Sequence, residues 1–246
     1  MSNKPTNRRR LFFDIEVSPN IGLFWRSGHE ISVDHNSIIK ERAIICICYK
    51  WEGEKKVYSL RWDKRQSDKK MVADFIKVAN DATELVGQNG DNFDIKWVRT
   101  RAIIHGIKWT PYINTLDTLK MARSSFSFNS NRLDYLGKIL LNKGKLDTGF
   151  GLWKDILLNN CETSMRKMIT YCKNDVILLE QVFNKFRPYI KPKLSYAMDR
   201  GSCPECDSPE LKINKVTRLP SGNSKIQFLC KNCSTYHTKT IIDKKK

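Results

Sequence analysis

Three stretches of the sequence carry acids in patterns that could hold metal ions. The first is LFFDIEV at 11–17. Residues two apart on a strand face the same side, so Phe12, Asp14 and Glu16 share one face and Phe13, Ile15 and Val17 the other. Two acids on one face of an otherwise apolar strand are costly to bury unpaired. Standing about 6.6–7 Å apart along the strand, they could share one cation or bridge two cations about 3.5–4 Å apart. An edge strand with one wet face would accommodate the same residues without metal. The second stretch is GQNGDNFDIKWV at 87–98, where Asp94 falls at the turn from strand into helix. An Asp there also serves as an ordinary N-cap or first-turn residue, and Asp91 is a loop acid nearby. The third is RKMITYCKNDVILLEQVFNKF at 166–186. Cys172, Val176, Leu179, Phe183 and Phe186 form an apolar stripe at helical spacing. Tyr171 and Asp175, four apart, lie on one edge of that stripe. They can point across at another element or form a simple surface pair.

The cysteines carry a different chemistry. CPEC (203–206) and CKNC (230–233) give two C-x₂-C pairs separated by 23 residues. Cys203, Cys206, Cys230 and Cys233 supply four soft ligands for one tetrahedral Zn²⁺. Between them lie strand-like KINKVTRL, a Pro-Ser-Gly-Asn turn at 220–223, and strand-like KIQFLC. Two knuckles and a hairpin predict a zinc ribbon. A unit this small needs such a staple, because its core is too small to carry it alone. With all four positions filled by Cys, the zinc is expected to be structural, and His237 is read as a polar strand residue. Cys46, Cys48, Cys161 and Cys172 are isolated in sequence.

The surrounding elements must position these groups. Strands are predicted at 11–17, 43–51, 55–62, 84–90 and 112–119, and helices at 67–80, 93–106, 131–141, 150–159 and 163–187. Residues 18–41 read as a long irregular loop. A meander of three strands followed by alternating helices and strands predicts an α/β domain with a mixed sheet. The pattern lapses between Arg187 and Gly201. The expected organisation is a basic tail (1–10), a large domain (11–190), a linker (191–200) and the ribbon (201–243). The chain has 246 residues, 40% of them hydrophobic, enough for a core. No apolar run reaches the roughly 18 residues a membrane span requires. Acids interrupt the only apolar stretch behind the basic N-terminus, so no secretory signal is expected. A cytoplasmic location follows as an expectation, in the host cytoplasm if the chain is viral. The net charge of +18 points to a polyanionic partner, nucleic acid first. Most of this excess lies in residues 1–198, where KGK (143–145), Arg99, Arg101, Arg123 and Arg132 are candidate phosphate contacts.

The ordered set of acids resembles the DEDD, or DnaQ-like, 3′–5′ exonuclease superfamily. The residues that carry the resemblance are Asp14 and Glu16, then Asn89, Phe93 and Asp94, then Tyr171 and Asp175. They span roughly residues 11–190. The match is closest to the Tyr-bearing branch, which includes the proofreading domains of family-B DNA polymerases. In the His-bearing branch a His lies five residues before the last Asp. Here that place is Thr170, and Tyr171 stands four before. The stretch DTLKMARSSFSFNSNRLDYLGKILLNKGKLDTGFGLW is similar to stand-alone phage members.

The resemblance implies a ribonuclease H-like fold and a metal-dependent 3′–5′ exonuclease acting on single-stranded DNA or 3′ ends. It implies that Asp14, Glu16, Asp94 and Asp175 hold two Mg²⁺ or Mn²⁺ ions, whose hard character suits oxygen ligands. Such a pair clamps the attacking and leaving oxygens of an in-line phosphoryl displacement. Tyr171 would orient the attacking water, since its ordinary pKa near 10 disfavours a role as base. Asn89 would hold the substrate backbone or a catalytic carboxylate, or simply form a turn. Asp117, Asp134 and Asp147 are read as structural. An exoribonuclease or structure-selective endonuclease on the same fold fits the same acids. A non-catalytic nucleic-acid-binding protein and a zinc-ribbon regulator of transcription are readings of another class. No polymerase domain follows, so proofreading would serve a separate polymerase or a replication or repair factor.

Overall fold

The computed structural model describes residues 8–26, 28, 32–146, 148–193, 195, 197 and 201–241. Asp147, part of the 191–200 segment and both chain termini lie outside the described residues. Strand β1 (Arg10–Val17) is followed by the short β2 (Ile21–Gly22) and β3 (Ile38–Lys40), then β4 (Ile44–Trp51) and β5 (Tyr58–Arg61). Helix α1 (Lys69–Asn80), β6 (Glu84–Gly87), α2 (Asp94–Ile104) and β7 (Thr115–Asp117) come next. Helices α3 (Thr118–Ser125), α4 (Leu133–Leu141), α5 (Gly151–Asn159) and α6 (Glu162–Phe186) follow. The C-terminal part holds β8 (Leu211–Arg218), β9 (Ser224–Cys230) and β10 (Tyr236–Ile241).

The main sheet has the order β5-β4-β1-β6-β7. Strand β1 is central, antiparallel to β4 and parallel to β6, and β6 is parallel to β7. Helices cover both faces, the expected α/β arrangement. On one face Leu11, Phe13 and Ile15 pack with Phe75 and Ile76 of α1 and Ile95 and Val98 of α2. On the other, Phe12, Cys46, Cys48 and Val86 pack with Met168, Cys172, Val176, Leu179 and Phe183 of α6. The apolar stripe read from the sequence is therefore the inner face of α6.

The alternation on β1 has a consequence at its C-terminal half. Pairing with β6 ends at Phe12↔Val86, whereas pairing with β4 continues through Asp14↔Cys48 and Glu16↔Cys46. The register then shifts between Glu16 and Val17, a bulge of the kind that re-aims side chains near sites. Beyond Phe12, β1 runs on past its pairing with β6, so Asp14 and Glu16 lie toward the carboxyl end of the strand, the usual place for ligands in such sheets.

Four features differ from the sequence reading. Residues 18–41 are not wholly irregular, since β2 and β3 form a small antiparallel pair. The strand expected over 112–119 is only three residues long, because Asp117 stops it by capping α3; its carboxylate accepts from the amides of Leu119 and Lys120. The C-terminal unit has a third strand, in the order β10-β9-β8, beyond the expected hairpin. That hairpin turns where expected, with Leu219 N–H donating to the Asn223 carbonyl at 2.8 Å. The structure begins β1 at Arg10, inside the stretch read as tail. Among the described residues no helix is long and apolar enough to cross a membrane.

Candidate metal-dependent active site

The acids singled out in the sequence meet toward the carboxyl end of β1. Asp14 and Glu16 project from the same face of β1, and α6 crosses that face carrying Asp175. One carboxylate oxygen from each of the three lies within 4.8 Å of the others. Asp94 is the first residue of α2. Instead of capping its own helix, its Oδ1 accepts the backbone N–H of Ile15 at 3.1 Å. That bond fixes Asp94 to the β1 residue lying between the two strand acids.

The turn that delivers Asp94 depends on glycine. A Cβ on Gly87 would stand 3.0 Å from the Cα of Gly90, and one on Gly90 would stand 3.1 Å from the Cα of Gly87. Between them Asn89 takes a left-handed conformation, φ +61°. Its carbonyl accepts from the amides of Asn92 and Phe93. Asn89 is thus a turn former here, and its side chain touches Asn92 rather than a catalytic carboxylate. Asp117 holds the turn from below by accepting from the Asn89 amide at 3.0 Å. Asp91 is paired with Lys120 at 2.7 Å, a loop acid as expected. Asp134 pairs with Lys138 and accepts the Lys145 amide at 2.8 Å, a structural acid.

Enclosure and mutual repulsion dominate the electrostatics. Burial, then the Asp175 charge, pushes the Asp14 pKa up to about 7. Burial, then Asp14 and Asp175, pushes Glu16 up to about 9. Asp94 is raised by burial and by Asp14, and Asp175 by burial against the opposing pull of Lys145. The Tyr171 hydroxyl is also raised, first by burial and then by Asp175. Among the described residues, the cation in this cluster is Lys145, whose ammonium pairs with Asp175 and lies 3.4 Å from the Tyr171 hydroxyl. Burial works against the charge of Lys145, but Asp175 and Asp14 outweigh it and raise its pKa. Oδ1 of Asp175 is buried without a hydrogen-bond partner among the described residues. Four acids, one ammonium and an orphaned carboxylate oxygen suit a hard divalent cation.

The sequence reading had Lys145 only as one of several phosphate contacts and gave no sign of its pairing with Asp175. It comes from an irregular loop, and no periodicity points it inward. Of the other candidates, Arg101 is occupied by Asp68, at 2.7 and 2.8 Å. Beside the acids, a cleft of about 440 Å³ is lined by Val17, Ser18, Pro19, Arg42, Phe93, Phe150 and Trp153. Val17 and Phe93 follow and precede Glu16 and Asp94 directly in the chain.

The second cluster lies in the C-terminal unit. Cys203, Cys206, Cys230 and Cys233 hold their sulfurs within 4.8 Å of one another. The Cys203–Cys233 and Cys206–Cys230 sulfur separations are 3.7 and 3.6 Å. Sulfurs about 2.3 Å from one tetrahedral zinc stand about 3.8 Å apart, so the cluster is compatible with a zinc ribbon. His237 stacks on Phe228 with ring centroids 5.4 Å apart.

The mixed sheet brings together acids from its central strand, a strand–helix turn and a late helix. Residues 35–138 match the family described as "Predicted 3'-5' exonuclease related to the exonuclease domain of PolB". Among solved structures the chain is similar to the family B DNA polymerase of the hyperthermophilic archaeon Pyrobaculum calidifontis. The two share 17% identity with a TM-score of 0.53, over 74% of this chain and 25% of the polymerase. The chain therefore spans about a quarter of that protein's length, and the likeness is one of fold. The family match supports the exonuclease superfamily, and the structural likeness is consistent with its fold. No curated protein matches the chain. The family match includes Asn89, Phe93 and Asp94 but not Asp14, Glu16, Tyr171 or Asp175.

Proposed function

We propose that the protein is a metal-dependent 3′–5′ exonuclease that hydrolyses phosphodiester bonds of DNA, at single strands or 3′ ends. The observation that carries this reading is the convergence of Asp14, Glu16 and Asp175 within 4.8 Å, with Asp94 tied to the strand between the first two. These four acids would hold two Mg²⁺ or Mn²⁺ ions. Such ions activate a water and neutralise charge on the leaving oxygen. Asp94, anchored through Ile15, fixes the register between α2 and β1. The Tyr171 hydroxyl keeps its proton and orients the attacking water. Lys145, which pairs with Asp175 here, would lend its charge to the phosphate when metal occupies that carboxylate. Phe93, Phe150 and Trp153 suit stacking of unpaired bases, and Arg42 beside them suits the backbone. Asn89 acts in this scheme by shaping the turn that presents Phe93 and Asp94.

In this reading residues 11–190 are the catalytic unit and 201–243 a ribbon holding one structural Zn²⁺, with 191–200 between them. The ribbon assists binding of nucleic acid or of a separate polymerase or repair factor. The enzyme works in the cytoplasm, a host's if the chain is of phage origin.

The test is digestion of 5′-labelled single-stranded DNA with Mg²⁺ and with EDTA, beside Asp14→Ala. A descending ladder is expected only with Mg²⁺. Losing a metal ligand removes several kcal/mol of transition-state stabilisation, so Asp14→Ala should fall by about a thousandfold. Cleavage that survives EDTA, or an active Asp14→Ala, would overturn the two-metal reading. Intact DNA alongside degraded RNA would move the substrate to RNA.

A further inference from the structure

Beneath Asp14 the sheet holds three cysteines that the nuclease chemistry does not use. Cys46 and Cys48 alternate on β4 and stand opposite Glu16 and Asp14, so all four side chains project from one face. Cys172 reaches the same spot from α6. All three cysteines are fully enclosed, with 0% exposure. Their sulfurs lie within 4.8 Å of one another.

A buried cysteine is ordinarily a small apolar filler. Two of these sulfurs instead face polar oxygens. Cys172 Sγ lies 3.4 Å from the Asp14 carbonyl oxygen and 3.6 Å from its Oδ2. Cys48 Sγ lies 3.8 Å from the Ile169 carbonyl. Three mutually close sulfurs, with the Asp14 carboxylate oxygen beside that of Cys172, form a donor set for a soft or borderline-soft ion, unlike the all-oxygen set above it. Zinc–sulfur bonds of about 2.3 Å need sulfurs about 3.8 Å apart. A side-chain adjustment of about 1 Å or less reaches that spacing, and a larger thiophilic ion needs less.

We propose that Cys46, Cys48 and Cys172, with Asp14 Oδ2 as fourth donor, form a second soft-metal site for a divalent cation of the zinc–cadmium class. The ion enters as the three S–H protons leave to solvent, and no oxidant takes part. The site carries the same formal charge as a four-cysteine zinc centre. Its geometry joins it to the oxygen cluster through one residue. A soft ion here draws Asp14 away from the hard-metal position, so thiophilic metals block the nuclease from below. This consequence rests on the exonuclease reading, whereas the metal site does not.

The experiment uses the full chain with its ribbon loaded with ¹¹³Cd²⁺ in place of zinc, in Mg²⁺ buffer, titrated with further ¹¹³Cd²⁺. Bound metal is read by ¹¹³Cd NMR and by metal analysis after gel filtration. Two resonances are expected, one from four sulfurs and one from three sulfurs and an oxygen, with two soft ions per chain. Cys46→Ala and Cys172→Ala should each lose the second resonance and one ion while keeping the ribbon's. One resonance and one ion in the wild-type chain would overturn the proposal. Since the variants remove core side chains, peptide-by-peptide alkylation of wild-type Cys46, Cys48 and Cys172 in sub-denaturing urea, where they label without added Cd²⁺, supplies a second reading. Protection by Cd²⁺ supports the site, and unchanged labelling rejects it. Two bound ions in a protein with no nuclease activity under any condition would overturn the exonuclease reading and leave this site standing.

Discussion

At Asp14 and Glu16 the fold holds protons that an unfolded chain would release near pH 4. Their pKa values, about 7 and about 9, are raised chiefly by burial. A carboxyl whose folded pKa is raised contributes stability at low pH and loses it as pH climbs through the folded value. With zinc retained and Mg²⁺ absent, Tm should therefore fall as pH rises from about 5 to about 9. Saturating Mg²⁺ should flatten that fall, because the cation replaces the protons as counter-charge. A Tm that rises over this window without Mg²⁺ would refute the enclosed-acid account. Lys145 supplies the positive charge paired with Asp175, and under the proposed function it would compete with metal for that carboxylate. Lys145→Ala should lower the Mg²⁺ concentration needed to stabilise the protein, read by thermal shift, while slowing DNA cleavage. Tyr171→Phe keeps the ring and removes the hydroxyl. A decrease of about tenfold to a hundredfold in cleavage, with the Mg²⁺ dependence unchanged, is expected for a group that only orients water.

The elements show which parts of this arrangement sequence reasoning can reach. The alternation Phe12, Asp14, Glu16 placed both acids on one face, and the stripe from Cys172 to Phe186 placed Tyr171 and Asp175 on the edge of α6. Period alone gave those orientations. Sheet order lay beyond it, because nothing local says that β1 stands between β4 and β6. Helix α3 was absorbed into a strand because Asp117 looked like one more strand residue. Its role as a cap, and its hold on the Asn89 amide, emerge only in three dimensions. The same holds for Lys145, whose loop has no period to follow. That loop rests on α4 at Gly137, where a Cβ would stand 2.5 Å from the Lys143 carbonyl and 2.8 Å from Leu178. Gly137→Ala should destabilise the protein by about 1–3 kcal/mol through overpacking, read by denaturant melts. It should also slow cleavage by displacing Lys145. A neutral Gly137→Ala would mean that the loop is not seated as described.

Across the whole molecule, β1 connects two distant chemistries. Its first residue, Arg10, is buried and pairs with Glu84 at 2.7 Å, Glu52 at 3.0 Å and Glu205 at 3.2 Å. Glu205 lies between Cys203 and Cys206, and Arg187 after α6 reaches it at 2.9 Å. The cysteine unit is thus held against the start of the strand that carries Asp14 and Glu16. Removing one member of a buried ion network leaves the others uncompensated, typically at a cost of about 3–5 kcal/mol. Arg10→Ala should show a loss of that order in a denaturant melt. Glu205→Ala should fall in the same direction, and a neutral result for both would mean that the network contributes nothing. The order of the acids along the chain has a further consequence. Asp14 and Glu16 lie at the beginning, Asp94 near the middle, and Asp175 on the last helix of the α/β part. A ribosome must extrude nearly the whole of that part before the set is complete. A chain released early carries most of the positive charge but lacks its last acid, so under the proposed function synthesis itself would delay cutting until the fold can close.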